Sequence, residues 1–216
     1  MSSKFIIIRV LLFVLLVVGT TSAMIAQDND FTTWTKFKVN HKIDSRFAVS
    51  GNLELRTEDD MSAIDRWGIS VGGDYRAFSF LKFEIGYETH YRNLGEIGWK
   101  FRHRYRIGAT ASFRYQWLKM SLRERFQQTF DRGNSETRLR SRLGYAPQKG
   151  IVSPYFSIEI YQSLDDAPFW RTTRLRYRPG IEIDLTKRWS LDAFYCYQYE
   201  SSRGKHIAGV EVGYSF

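Results

Sequence analysis

Long segments in which apolar and polar residues alternate with a period of two constrain this chain most strongly. A period of two indicates a β-strand, because successive side chains of a strand point to opposite faces, whereas a helix repeats every 3.6 residues. The clearest segment is 118–130. Its apolar face carries Leu118, Met120, Leu122, Phe126 and Phe130, and its polar face carries Lys119, Ser121, Arg123, Arg125, Gln127 and Thr129.

The same alternation recurs along the chain and predicts eleven strands. They cover 31–43, 46–57, 66–76, 81–92, 100–114, 118–130, 136–145, 154–163, 171–185, 189–200 and 206–216. Strands of soluble sheets are mostly about 5–6 residues long, whereas a tilted transmembrane strand needs about 9–11. The pattern therefore predicts an all-β fold, a single antiparallel up-and-down transmembrane β-barrel of about 10–12 strands. A soluble barrel of the lipocalin type would need a mostly polar outer face.

The N-terminus predicts a cleaved secretory signal peptide. Lys4 and Arg9 precede the apolar run Val10–Val18, and small residues follow it, which is the order that such peptides show. We expect cleavage after Ala26, with Ala23 as the alternative. An uncleaved anchor helix would need an apolar stretch of about 20 residues, longer than this run.

With a signal peptide at 1–26, the barrel is expected to occupy 27–216 and to lie in the cell outer membrane. Short connections are predicted at one end and longer polar ones at the other, which in outer-membrane barrels face the periplasm and the exterior. The short set is 44–45, 77–80, 115–117, 147–153 and 186–188, and the other is 58–65, 93–99, 131–135, 164–170 and 201–205. A periplasmic N-terminus requires an even strand count, so eleven implies a miscounted strand or an N-terminal segment that threads through the lumen.

Aromatic residues cluster near both ends of the predicted strands, as two interfacial girdles would require. They are Phe47, Phe80, Trp117, Tyr155 and Trp189 near the short connections, and Trp67, Tyr91, Trp99, Phe130 and Trp170 near the others. The last strand ends in Tyr214 and Phe216 on its apolar face, which resembles the signal read by the outer-membrane assembly machinery. Expected partners are that machinery, outer-membrane lipids and lipopolysaccharide. The chain is basic, with 32 Lys and Arg against 23 Asp and Glu, but export argues against nucleic acid.

The polar faces are predicted to line the lumen, where arginine recurs on several neighbouring strands. Like charges repel in a low-dielectric space unless carboxylates lie between them. The predicted lumen-lining residues are Arg104, Arg106, Arg123, Arg125, Arg138, Arg140, Arg142, Arg174, Arg176, Glu84, Glu88, Glu159, Glu182 and His90. They predict a structural network of arginine–carboxylate pairs or a small-molecule or anion site. The alternatives are a narrow anion-preferring pore and a barrel-embedded lipid hydrolase.

No catalytic set is predicted. His90 is the candidate base because it faces inward near the outer end, but no motif places a serine or carboxylate beside it. His103 and His206 are predicted to face outward. The sequence has no metal-ligand spacing and no phosphate-cradling glycine loop, so we expect neither a metal nor a cofactor. Cys196 is interpreted as a small strand residue.

Several short segments, taken in order, resemble a known family. They are Asp65–Trp67, Leu122–Phe126, Arg138–Tyr145, Pro154–Glu159, Arg174–Arg178 and Arg188–Leu191. Together they resemble the domain-of-unknown-function family 2490 over essentially the whole mature chain. The resemblance implies a Gram-negative outer-membrane barrel and supplies no activity. Pro179 stands where a small or apolar strand residue is expected, which predicts a bulge or an edge there.

Overall fold

Eleven long strands make up almost all of the described chain. The computed structural model describes residues 30–131, 134–147, 150–165, 169–200 and 203–216. The strands are β1 (Asp30–Lys42), β2 (Phe47–Glu58), β3 (Ala63–Arg76), β4 (Leu81–Asn93), β5 (Trp99–Tyr115), β6 (Leu118–Asp131), β7 (Asn134–Pro147), β8 (Val152–Ser163), β9 (Arg171–Asp184), β10 (Trp189–Glu200) and β11 (Arg203–Ser215), with a short 3-10 helix at Gly95–Ile97. The predicted signal peptide and both of its cleavage sites lie outside the described residues.

The strands form one closed barrel in which each strand pairs with its neighbours along the chain. Ten of the eleven pairings are antiparallel. The barrel closes between β1 and β11, which run parallel from the pair Asp30–Lys205 to the pair Asn40–Ser215. An odd number of up-and-down strands gives the first and last strands the same direction, so closure must be parallel. The predicted count of eleven is confirmed, and the alternative of a miscounted strand is wrong.

The barrel has two rims, which we name by their connections. At the turn rim the chain passes from β1 to β2, β3 to β4, β5 to β6, β7 to β8 and β9 to β10, and at the loop rim it passes from β2 to β3, β4 to β5, β6 to β7, β8 to β9 and β10 to β11. For most connections, the predicted difference in length between the two rims is wrong, because the strands extend further toward the loop rim than the alternation indicated. In the described part of the chain, no helix is long and apolar enough to span a membrane.

Side chains of the turn-rim connections fix the backbone of the adjoining strands. The Asp44 carboxylate accepts hydrogen bonds from the backbone N–H groups of Arg46 and Phe47, both at 2.6 Å. The bonds from Phe47 and Arg46 lower the pKa of Asp44 below its usual value. Thr186 Oγ1 accepts from the N–H of Trp189 at 3.0 Å. Such local side-chain bonds are the turn chemistry that Asp and Thr favour.

The outer face is apolar along the middle of the strands. Its exposed aliphatic side chains include Leu53, Leu55, Ile69, Val71, Ile85, Ile107, Leu122, Leu143, Ile160 and Val210. Aromatic pairs lie at both rims: the rings of Phe47 and Tyr75 are 4.8 Å apart, and those of Trp67 and Tyr91 are 5.0 Å apart. Tyr155, predicted for the turn-rim girdle, instead faces the lumen, because it shares the parity of Glu159 along β8.

Pro179 lies inside β9 and pairs with Phe156 of β8. Toward β10, the ladder omits the two pairs around Pro179, but the register is the same before and after the gap. Proline has no N–H to donate, so the ladder is interrupted there without an inserted residue. The predicted bulge or edge at Pro179 is wrong. Register shifts occur instead at Arg56/Thr57 and at Tyr161/Gln162.

Candidate functional site

The barrel encloses one strongly basic cavity in its described residues. Its volume is about 590 Å³, and it is lined by sixteen Lys or Arg and seven Asp or Glu side chains. Twelve of the predicted lumen residues line it: Arg104, Arg106, Arg123, Arg125, Arg138, Arg140, Arg142, Arg174, Arg176, Glu84, Glu88 and Glu182. The remaining two, Glu159 and His90, also have buried side chains. The structure therefore brings the predicted arginines and carboxylates together on the inner face of the barrel.

A single carboxylate holds the densest group of arginines. Strand register places Arg142 and Arg176 directly beside Glu159 on the two neighbouring strands. The guanidinium of Arg140 donates to both carboxylate oxygens of Glu159 at 2.6 Å, and that of Arg123 reaches the same carboxylate at 3.2 Å. Arg142 and Arg176 lie 3.5 and 3.7 Å away. Four guanidiniums therefore share one carboxylate that is 2% exposed.

Tyr161 lies next to this group and contacts three arginines, two of which belong to it. Its hydroxyl accepts from Arg176 Nη1 and donates to Glu159 Oε2 at 3.4 Å. The guanidinium carbons of Arg140, Arg174 and Arg176 lie 4.9–5.1 Å from its ring centre. An arginine over an aromatic face gains a cation–π attraction. Tyr161 thus replaces a second carboxylate as a partner for positive charge.

Other carboxylates are distributed around the wall. Glu54 accepts from Arg56 and Arg66 at 2.8 Å and lies 3.6 Å from Lys36. Glu84 accepts from Arg125 at 2.5 Å. Neither carboxylate lies directly opposite an arginine: Glu54 pairs with Lys36 and Gly68. Glu84 pairs with Gly108, over which Arg125 of the next strand reaches it. Planar guanidiniums suit this role because they donate two bonds to one carboxylate.

An aromatic cluster occupies the wall formed by β9, β10, β11 and β1. Arg178 lies over the ring of Phe194 at 3.5 Å from its centre, and Phe194 packs edge-on against Trp34. Tyr155 donates to Asp192 at 2.7 Å and accepts from Arg178 at 3.0 Å. The sequence analysis did not assign Trp34, Tyr155 or Tyr161 to the lumen. The parity of Tyr155 and Tyr161 with Glu159 was the available signal.

The two ends of the lumen differ in exposure. Near the loop rim, the inward side chains of Thr32, His90, Thr129, Ser163 and Gln198 are all buried. Near the turn rim, Lys82 has 40% and Asp74 has 35% of its side chain exposed, and Lys119 is exposed. These inward side chains thus form a packed layer below the loop rim, at whose edge Arg92 and Glu136 are 43% and 45% exposed, and the turn rim has an accessible mouth.

His90 lies beside a carboxylate in the wall of the lumen. Its ring is buried and its Nδ1 lies 3.3 Å from Glu88. Glu88 in turn lies 3.6 Å from both Arg104 and Arg106. His103 and His206 lie on the outer face, where His103 stacks on Phe130. Among the described residues, no group of three His, Cys, Asp or Glu side chains could hold a metal ion.

Known proteins provide a family and two solved structures for comparison. No curated protein matches the chain at a significant level. The translocator domain of autotransporter NalP from Neisseria meningitidis is similar at 16% identity and a TM-score of 0.46, covering 77% of this chain and 73% of that one. The β domain of the Bordetella autotransporter BrkA is similar at 13% and 0.44, covering 79% and 81%. The model of a protein family of unknown function, DUF2490, matches residues 31–207, and this chain therefore belongs to that family.

Proposed function

We propose that this protein is an outer-membrane β-barrel whose lumen binds small anions that enter from the turn rim. One observation carries the proposal: sixteen cationic side chains and seven carboxylates surround a cavity of about 590 Å³. Ligand pockets for small molecules typically have about 300–1,000 Å³. The excess of positive charge favours a negatively charged ligand, and the volume of the cavity limits the size of that ligand.

The outer face supports the membrane location. Large apolar side chains such as Ile69 and Ile85 are half or more exposed in the middle of their strands. In water such a belt would be an aggregation hazard, whereas lipid tails solvate it. Exposed aromatic side chains at both rims fit the interfaces between lipid and water. Outer-membrane lipids, lipopolysaccharide and the outer-membrane assembly machinery are the partners of this proposal, with nucleic acid excluded by export.

The electrostatics of the wall support an anionic ligand. Several arginines share one carboxylate at Glu159, and the cavity lining carries sixteen Lys or Arg against seven Asp or Glu, so positive charge remains uncompensated in the cavity. Unit charges attract strongly where the effective dielectric constant is low. A small anion that enters the cavity would relieve repulsion between neighbouring guanidiniums. Binding of such an anion requires no catalytic group, so we propose a binding role for the lumen rather than an enzymatic one.

The packed layer near the loop rim supports a blind cavity rather than an anion-conducting pore. Arg176 donates to Gln198 at 2.8 Å, and Gln198 donates to Glu200 at 2.9 Å. Arg102 and Asp131 form a further pair at 2.7 Å. These contacts lie within one strand or between adjacent strands of the wall, and they hold the inward side chains in place toward the loop rim. Single-channel recording in planar bilayers should therefore show no steady anion conductance.

The membrane part of the proposal is tested by fractionation with heat-modifiability on a gel and by two isoleucine substitutions. Ile85→Arg places a charge in the middle of the apolar belt and should destabilise the refolded barrel by about 2–4 kcal/mol. Ile97→Arg makes the same change in the exposed 3-10 helix at the loop rim and should cost about 0–1 kcal/mol. A protein found soluble in the periplasm, with equal effects of both substitutions, would contradict the membrane location.

The binding part is tested by isothermal titration calorimetry of the refolded protein in a zwitterionic detergent at low ionic strength. Sulfate, phosphate and citrate are titrated as sodium salts, with choline chloride as the control. The proposal predicts saturable heats for one or more of the multivalent anions and their loss at high salt, because screening weakens charge attraction. Heats indistinguishable from buffer for all of them would contradict it.

A further inference from the structure

A row of small side chains interrupts the arginine-lined wall at one place. Ser121 of β6 pairs with Gly144 of β7, and Gly144 pairs with Ser157 of β8. All three residues line the cavity. Because neighbouring positions in the lumen carry arginine, three small residues side by side leave a recess in the wall. Gly144 keeps it open: a Cβ there would lie 2.8 Å from Ser121 Oγ.

The next inward positions on the same three strands carry charge. They are Arg123 of β6, Arg142 of β7 and Glu159 of β8, and each lies two residues closer to the loop rim than the small residue of its strand. The recess therefore adjoins the group in which four guanidiniums share the Glu159 carboxylate. That carboxylate neutralises one positive charge of four, so an anion beside Arg123 and Arg142 meets a net attraction.

Buried polar atoms at the recess lack partners. Ser157 is 1% exposed and its Oγ has no hydrogen-bond partner among the described residues. Arg123 Nε is also buried without a partner among them. Most buried polar side-chain atoms in proteins are hydrogen-bonded, so a buried atom without a partner requires an explanation. A ligand oxygen in the recess would accept from both the Ser157 hydroxyl and the Arg123 guanidinium.

We propose that this recess binds the phosphate group of inorganic phosphate or of a phosphate monoester. The assignment rests on the proposed anion-binding function and names its ligand class. A phosphate group presents three or four acceptor oxygens and up to two negative charges, whereas a carboxylate presents two oxygens and one charge. Three donors from three strands (Ser157 Oγ, Arg123 and Arg142) around an excess of positive charge match the phosphate group better. The recess lies on the lumen side of the wall, away from the lipid-facing surface, so the phosphate is that of a water-soluble molecule.

The test is calorimetric titration of the refolded full-length protein with inorganic phosphate. The variant is Ser157→Ala, which removes a buried hydroxyl without a protein partner and therefore leaves folding unchanged. The matched control is Ser50→Ala, which removes a hydroxyl from the cavity wall on β2, on the opposite side of the ring of strands. We expect Ser157→Ala to weaken phosphate binding about tenfold or more, as the loss of a bond to a charged group does. Ser50→Ala should change it less than about twofold.

The outcomes distinguish a failure of the phosphate site from a failure of the proposed anion-binding function. If phosphate binds and both variants bind it equally, the recess is not the site, while the anion-binding lumen stands. If no anion binds the wild-type protein, the proposed function itself fails. A parallel titration with glycerol phosphate and with short-chain phosphatidic acid in the micelle distinguishes the sources. Binding of phosphatidic acid alone would overturn the assignment to a soluble phosphate.

Discussion

The two ends of the lumen use the same residue types in opposite ways. In the packed end, which runs from the middle of the lumen toward the loop rim, Glu159 is 2% exposed and four arginines converge on it. Near the turn rim, Asp74 and Lys82 form a pair at 3.3 Å with side chains that remain partly exposed. The first arrangement excludes water and depends on every partner. The second is solvated and tolerates the loss of a partner.

This difference follows from the cost of burying charge. A buried ion loses its hydration, and removal of its partner leaves that cost uncompensated. A partly exposed ion keeps water, so its pairing contributes little. The packed end therefore suits the structural network that the alternating arginines predicted, and the cavity that opens toward the turn rim is where we propose that a ligand binds. The proposal thus gives one lumen both roles between which the sequence did not decide.

The largest contrast is expected between two isosteric substitutions. Glu159→Gln removes the charge shared by four buried guanidiniums, and we expect a loss of about 3–5 kcal/mol in the free energy of unfolding or a failure to fold. Asp74→Asn removes a partly exposed charge and should cost less than about 1 kcal/mol. Urea unfolding in detergent, followed by the heat-modifiable gel shift, measures both. Equal losses in the two variants would break the comparison.

A smaller effect is expected at Tyr161 in the packed end. Tyr161→Phe keeps the ring under the three guanidiniums but removes the hydroxyl that accepts from Arg176. We expect a loss of about 1–3 kcal/mol, because a buried donor is left without a partner. Tyr161→Leu should lose more, since the cation–π contacts go as well. Equal stabilities of Tyr161→Phe and the wild type would show that the hydroxyl bond contributes nothing.

The smallest effect on stability is expected at the accessible end. Lys119→Gln removes an exposed charge near the turn rim and should change the free energy of unfolding by less than about 0.5 kcal/mol. It should nevertheless weaken the binding of multivalent anions measurably at low salt, with the difference vanishing at high salt. Calorimetric titration at two salt concentrations measures this. Loss of stability without loss of binding would assign Lys119 to the structural network instead.

Much of the fold followed from the period of two. Because alternation indicates both the length of a strand and its inward face, eleven strands could be found from sequence, together with twelve residues that line the cavity. The parallel closure of β1 on β11 was implicit in the odd count, but the even-number rule of bacterial barrels obscured it. The lengths of the connections were overestimated because polar rim residues such as Asp131 and Asn134 still belong to strands.

The arrangement within the lumen could not be read in the same way. Which carboxylate serves which arginine depends on the register between strands, and a shift of two residues would give every arginine another partner. Tyr155 was missed because it was assigned to the aromatic girdle, and Tyr161 was not assigned to the lumen, although the parity of both with Glu159 places them inside. The recess at Gly144 arises from three strands whose small residues meet only in the folded barrel.

Reactivity of thiols in the folded protein tests the difference between the two ends most directly. The native Cys196 thiol lies in the packed end and is 1% exposed, whereas Lys119→Cys places a thiol at the accessible end. Both proteins are treated, folded in detergent and unfolded in urea, with a small negatively charged methanethiosulfonate reagent. We predict that folded wild-type protein remains unlabelled and folded Lys119→Cys takes up one label. Labelling of Cys196 at the same rate in folded and unfolded protein would contradict the packed layer and with it the blind cavity.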